Sequence, residues 1–246
     1  MNDFWLKTSG TWLNVATVVF GTGLGLLLRG SLPQRMQQVI IQGMGIVTLF
    51  IGLNMANTLG RVKAGRIDSV VLAALLLGVG GILGEWWQIE ERLARIGDLL
   101  KEKFKGGGKF TEGFVAASLL FCVGPMTLVG SLNNGLNGDY SILALKAMMD
   151  GLVSIAFGSS YGVGVGCSAL TIIVVQGGIS LLAGSLAQFL PDPATAPQIL
   201  LMTGVGGLLL LGLGLNLLEI GRVPVAAFLP ALFLAPLAYA ITAGAG

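Results

Sequence analysis

An all-α, polytopic transmembrane helical bundle of about eight spans is the fold this sequence predicts. Three observations carry the prediction. Charge is scarce: Asp, Glu, Lys and Arg make up 11% of the 246 residues, against roughly 25% in an ordinary soluble domain. Mean hydropathy is high, at +0.86. The uncharged runs are long: positions 69–84, 113–138 and 151–191 contain no charged side chain. A helix that crosses a bilayer needs about 20 mostly apolar residues, because each residue rises about 1.5 Å through a hydrocarbon core about 30 Å thick. Many of the 39 glycines sit inside apolar runs, where they let neighbouring helices approach closely.

The spans fall at 10–28, 37–57, 68–85, 113–131, 141–159, 162–189, 197–218 and 223–242. Asp3 cancels Lys7 ahead of the first run, and no small-residue cleavage site follows it. It therefore reads as a retained span, not a signal peptide. Gly124 and Pro125 interrupt the fourth span. The sixth is long for one crossing and is either tilted or broken at Gly177 and Gly178.

Positions 1–246 read as a single transmembrane domain, with 86–109 as an amphipathic helix within it. In that segment Trp86, Ile89, Leu93, Ile96, Leu100 and Phe104 recur every three or four residues, opposite a charged face. Trp86 and Trp87 suit a membrane interface. Lys101, Lys103, Lys105 and Lys109 suit anionic headgroups, or equally a solvated cytoplasmic connector. Arg29, Arg35, Arg92, Arg95, these lysines and Arg222 fall in the loops after odd-numbered spans. The positive-inside rule places those loops in the cytoplasm and both termini outside.

Two ends of the chain resemble one another. Positions 27–34 read LLRGSLPQ and 181–188 read LLAGSLAQ; 45–55 read GIVTLFIGLNM and 207–217 read GLLLLGLGLNL. A Gly-Arg-Val follows each second block, at 60–62 and 221–223. Spans one to three would then match spans six to eight. The offset of five spans, an odd number, makes the repeat inverted, an architecture that recurs in secondary transporters. The alternative is generic packing of Leu- and Gly-rich helices.

Candidate chemistry lies in spans four and five. Lys146 and Asp150 are four residues apart on one helix face. Charges at membrane depth are costly, so they line a polar site or neutralise each other. Both readings stand for this pair. Upstream, the break at Gly124 and Pro125 and the amides of Asn133 and Asn134 offer irregular backbone and polar groups. Such backbone is tolerated in a membrane only where protein buries it or water reaches it. Positions 137–141 read as a loop, with Asp139 or Ser141 capping the next helix. Asn14, Gln42, Asn54, Gln176 and Asn216 are further polar residues in apolar runs. Asn54 and Asn216 occupy matching repeat positions. Interhelical hydrogen bonding and a place on a solute pathway are both open to them.

The absence of histidine excludes histidine metal ligands, Ser-His triads and histidine relays. Cys122 and Cys167 lie in apolar runs and give no disulfide framework. No metal, cofactor or nucleic-acid partner is expected. No nucleophile–base pair supports an enzyme.

The opening Gly-Thr-Trp-Leu-Asn, the run FCVGPMTLVGSLNNGLNGD at 121–139, Lys146 with Asp150, and the glycine-rich sixth span resemble the YqgA/YdfK-like family of bacterial membrane proteins. The resemblance extends over nearly the whole chain, and Phe-Cys-Val-Gly-Pro-Met is its most specific part. It implies a bacterial inner-membrane location. It implies no substrate and no catalytic residues, because the family is one of unknown function. The expected function is membrane transport of a small solute or ion at a substrate-binding site formed by Lys146, Asp150, Asn133, Asn134, Gly124, Pro125, Asn54 and Asn216. A passive ion or solute channel and a non-transporting scaffold or partner-binding protein are the alternatives. Expected partners are the lipid bilayer, a small solute or ion, and further copies of the chain as a homo-oligomer.

Overall fold

The computed structural model describes residues 2–29, 33–64, 67–186 and 196–244. They form a succession of helices: α1 (Asn2–Lys7), α2 (Ser9–Arg29), α3 (Gln34–Ala56), α4 (Ser69–Trp86), α5 (Ile89–Lys103), α6 (Phe110–Cys122), α7 (Pro125–Asn137) and α8 (Ser141–Tyr161). Next come the short α9 (Gly164–Cys167) and α10 (Ala169–Ile172), a π-helical turn at Ile173–Gly177, then α11 (Gly178–Leu186), α12 (Pro197–Leu217) and α13 (Leu229–Gly244). Two-residue strands, β1 (Lys63–Ala64) and β2 (Ile67–Asp68), pair antiparallel ahead of α4. Among the described residues, seven helical segments, Gly164–Ala183 being one, are long and apolar enough to cross a membrane, and α6 with α7 passes the same test as a bent pair.

Local chemistry explains the boundaries. Pro125 lacks an amide hydrogen and cannot continue α6, but it suits the first turn of α7. The two helices meet at a 62° bend. Thr127 Oγ1 bridges the break by donating to the Phe121 carbonyl at 3.1 Å. Gly138, at φ +72°, supplies the left-handed residue that ends α7. Asp139 then accepts from the Ser141 amide at 2.9 Å and the Ser141 hydroxyl at 2.6 Å, capping α8. The stretch after the Gly124 break is therefore helix from Pro125 onward, and the expected 137–141 loop shrinks to three residues. The long sixth run is not broken at Gly177 and Gly178: a π-helical turn over Ile173–Gly177 passes directly into α11, and Gly164–Ala183 counts as one spanning segment.

The chain packs as two compact units. One comprises Met1–Met44 and Ala94–Pro191; the other comprises Gly45–Leu93 and Asp192–Gly246. In the first, α2 and α8 lie side by side and parallel. Gly10 meets Leu143 near one end, and Gly25 meets Ile155 and Gly158 towards the other. Gly21, Gly25, Gly151 and Gly158 bring the two backbones into contact, so the crossing has no room for larger side chains. Helices α6 and α7 together run along α8 in the opposite sense. Gly113 packs on Tyr161 at one end and Gly130 on Leu143 at the other. The α9–α11 segment is antiparallel to α2, with Gly166 beside Thr22 and Gly177 beside Thr11. Phe110, Phe114, Phe121, Phe157, Leu132 and Leu143 fill the core between these helices.

In the second unit α12 is the most buried of the spanning helices. Gly207 faces Gly52 of α3, and Gly84 of α4 rests on the Ala227 backbone ahead of α13. Large apolar side chains point outward in both units; Phe20 is 70% and Ile241 72% exposed. Exposed apolar surface on this scale suits lipid, not water.

Candidate functional site

Asp150 is the tenth of the 21 residues of α8, about midway along a membrane-length helix. Lys146 precedes it by one turn, and the two form an ion pair. Both are only 7% exposed, whereas Leu145, Met148 and Leu152 on the other face of α8 are open to the surroundings. The pair thus faces protein, not lipid. The Lys146 ammonium also lies 5.9 Å from the centroid of the Phe121 ring, at the end of α6.

The parallel packing of α2 on α8 delivers a third member. Asn14, fully buried, donates from Nδ2 to Asp150 Oδ2 at 2.9 Å. The same Nδ2 donates to Gln176 Oε1 at 3.0 Å. Gln176 belongs to the π-helical turn. Such turns are inserted in helices frequently at functional sites. Thr11, one turn before Asn14, lies beside Gly177. The result is one contiguous polar cluster from three spanning segments: Lys146 and Asp150, Asn14 with Thr11, and Gln176.

The cluster has unused capacity. Among the described residues, Asn14 Oδ1, Gln176 Nε2 and Thr11 Oγ1 are buried without a hydrogen-bond partner. Leaving one such group unsatisfied costs about 1–3 kcal/mol, and native interiors rarely do so. Asn14 and Gln176 bring two of them directly onto the buried ion pair and its hydrogen-bonded amides. The break at Gly124 lies two residues beyond Cys122, whose thiol is within electrostatic reach of Lys146 and Asp150. A Cβ built on Gly124 would meet nothing within 4 Å, so the backbone at the break is open on that side. Among the described residues no group of three His, Cys, Asp or Glu is placed to hold a metal ion.

Other sequence candidates lie elsewhere. Asn134 is fully buried, but its amide is occupied at the α1–α2 junction. Nδ2 donates to the Leu6 carbonyl and to Ser9 Oγ, and Oδ1 accepts from the Gly10 amide. It holds the start of α2 in place. Asn133 is half-buried on α7. Asn54 is exposed and donates to the Phe50 carbonyl in its own helix. Asn216 exchanges two 2.7 Å hydrogen bonds with the Val223 backbone, fixing the turn after α12. The structure thus joins Lys146 and Asp150 to Asn14, Gln176 and Thr11. The sequence signal for Asn14 and Gln176 was a lone amide inside an apolar run.

Residues 9–240 match the family model described as protein of unknown function DUF554. The chain belongs to the DUF554 family. Within reach of that family are YqgA of Escherichia coli strain K12, an uncharacterised protein 33% identical over 242 residues, covering 95% of this chain and 97% of YqgA. YdfK of Bacillus subtilis strain 168, named an uncharacterised membrane protein, is 30% identical over 229 residues, covering 92% and 93% of the two chains. No solved structure matches the chain. Like YdfK, this DUF554 member is a membrane protein, and its apolar helices give that assignment its physical basis.

Proposed function

We propose that the protein is a multi-pass transporter of the bacterial cytoplasmic membrane that carries a small solute or ion through the Lys146–Asp150 cluster. The observation that supports this best is a buried ion pair halfway along a spanning helix, joined by amides from two other spanning segments that keep unpartnered atoms. Intramembrane ionisable groups are costly and mark solute or ion pathways by default. A broken helix on one side and a π-helical turn on the other supply the backbone irregularity that membrane proteins reserve for cavities and sites. The closed ion pair favours a carrier over an open pore, because the charged groups fill the centre themselves.

The inverted repeat belongs to the same proposal. The antiparallel contact of α2 with α9–α11 is the relation that inversion requires of the first and sixth spans. Solute uptake into proteoliposomes, measured across a panel of cations, anions and neutral solutes, tests the transporter reading. A panel with no protein-dependent uptake would sink it. Saturation of uptake with solute concentration would separate a carrier from a channel.

A further inference from the structure

The composition of the cluster narrows both the solute and the driving ion. We propose, resting on the transporter reading, that the site carries a small monovalent anion together with one proton, with Asp150 taking the proton and Lys146 receiving the anion.

The argument is one of charge and donor count. Lys146 and Asp150 sum to zero in the buried cluster. Among the described residues, the helices packed on this part of α8 contribute no further formal charge to it. From α2 come Asn14 and Thr17, from the π-helical turn Gln176, and from α6 Phe121 and the titratable thiol of Cys122. A cation bound at Asp150 would lie against the Lys146 ammonium and leave the site with net positive charge. An anion bound while Asp150 is ionised would leave it net negative. Either state is strongly disfavoured in a low-dielectric interior. Pairing the anion with a proton avoids both penalties. A proton from water converts the Asp150 carboxylate to the neutral acid, and the O–H bond formed removes the counter-ion of Lys146. The ammonium then accepts the incoming anion, and the total charge remains zero. Asp150 thus occupies in the empty site the place that the solute's negative group takes in the loaded one.

The hydrogen-bond groups agree with this exchange. The unpartnered Gln176 Nε2 is a donor, and Asn14 Nδ2 becomes available to the anion once Asp150 is neutral. With the ammonium they make a donor-rich set of groups. The unpartnered Asn14 Oδ1 is an acceptor that a reoriented amide can turn towards the Asp150 O–H. Release reverses each step: the anion leaves, the proton departs to water, and the ion pair closes again.

The test uses full-length protein in liposomes that enclose a pH-sensitive dye, with sulfate inside and either chloride or lactate outside. Membrane potential is clamped with potassium and valinomycin. The expected result is lumenal acidification driven by the inward anion gradient, with about one proton per anion and no dependence on the clamped potential. The chloride and lactate arms distinguish a halide from a carboxylate. Lys146→Gln should weaken anion binding by at least about tenfold, the loss expected for one charge-assisted hydrogen bond, and Lys146→Arg should restore most of it. Asp150→Asn, which cannot take up the proton, should abolish proton flux and the pH dependence of uptake. Wild-type stoichiometry and electroneutrality decide the matter even if a variant does not fold. Anion uptake without proton flux, uptake that moves net charge, or uptake confined to cations or neutral solutes would each overturn the proposal. The last result would leave the transporter reading standing. Failure of the whole panel would remove both.

Discussion

Lys146 and Asp150 are each other's solvent, and that makes them unequal to the sum of their parts. Removing one strands the other charge in the interior, at a cost of about 3–5 kcal/mol. Removing both leaves an apolar pair in an apolar core. Lys146→Met and Asp150→Leu should therefore each lower the unfolding temperature in detergent far more than the double variant does, while solute uptake is lost in all three. A double variant as unstable as the worse single would show that the pair is not mutually neutralising. Asn14→Leu should cost about 1–3 kcal/mol, because it takes a donor from a buried carboxylate. The pair was legible in the sequence, since a spacing of four puts both groups on one helix face. Its partners were visible only as lone amides. Asn14, Asn54, Gln176 and Asn216 carry the same local signal, but Asn54 and Asn216 satisfy themselves within four and seven residues. Asn14 reaches across 136 and 162 residues to find its partners. No local pattern encodes a contact of that range; the packing of α2 on α8 does.

Helix packing depends on which glycines face a neighbour. At Gly21 and Gly25 a Cβ would strike the α8 backbone, whereas at Gly23 and Gly78 it would meet nothing within 4 Å. Gly21→Ala and Gly25→Ala should destabilise by about 1–3 kcal/mol. Gly23→Ala and Gly78→Ala should be neutral or stabilising by about 0.5–1 kcal/mol, through the helix propensity gained. Thermal unfolding of the four variants checks the contrast, and equal effects would refute the packing assignment. The sequence shows that glycines lie on helices but not which face is inward, so this distinction needed the structure. The Gly124 break was legible from its proline; the π-helical turn was not, because no residue type demands one. On the amphipathic α5, Glu90 accepts from the Ala226 amide at 2.9 Å. Burial raises its carboxyl pKa, Glu85 adds to the rise, and the Ala226 and Ala227 amides oppose it. A carboxyl raised on folding contributes stability below its unfolded pKa and loses it as pH climbs through the folded value. Glu90→Gln keeps an acceptor for Ala226 without the buried charge. Its unfolding temperature should exceed that of the wild type at about pH 7, and the gap should close on acidification to about pH 4. A gap that widens in acid would reverse the sign and refute the assignment.

At the scale of the whole molecule the open question is how the chain threads the membrane, and the α6–α7 pair decides it. Helices α2 and α8 are parallel. If α3 and α4 each cross once, as their length and hydropathy allow, parallel α2 and α8 require one further crossing between α4 and α8. That crossing falls to α6 and α7, which together run the length of α8 in the opposite sense. A re-entrant hairpin would return the chain to the side it left and make α8 antiparallel to α2. With α3 and α4 each crossing once, the chain would cross eight times, with the loop between α5 and α6 on the side opposite the loop between α7 and α8. Single cysteines test this in a background in which Cys122 and Cys167 are replaced by serine. Gly107→Cys and Asn137→Cys both occupy exposed positions in those two regions. A membrane-impermeant maleimide applied to intact cells should label Asn137→Cys and spare Gly107→Cys until the membrane is opened, if the lysine-rich loop follows the positive-inside rule. Labelling of both from one side would make α6 and α7 a re-entrant loop. It would also place Gly124 at the tip of that loop, so that the Lys146–Asp150 cluster would be reached from a single face.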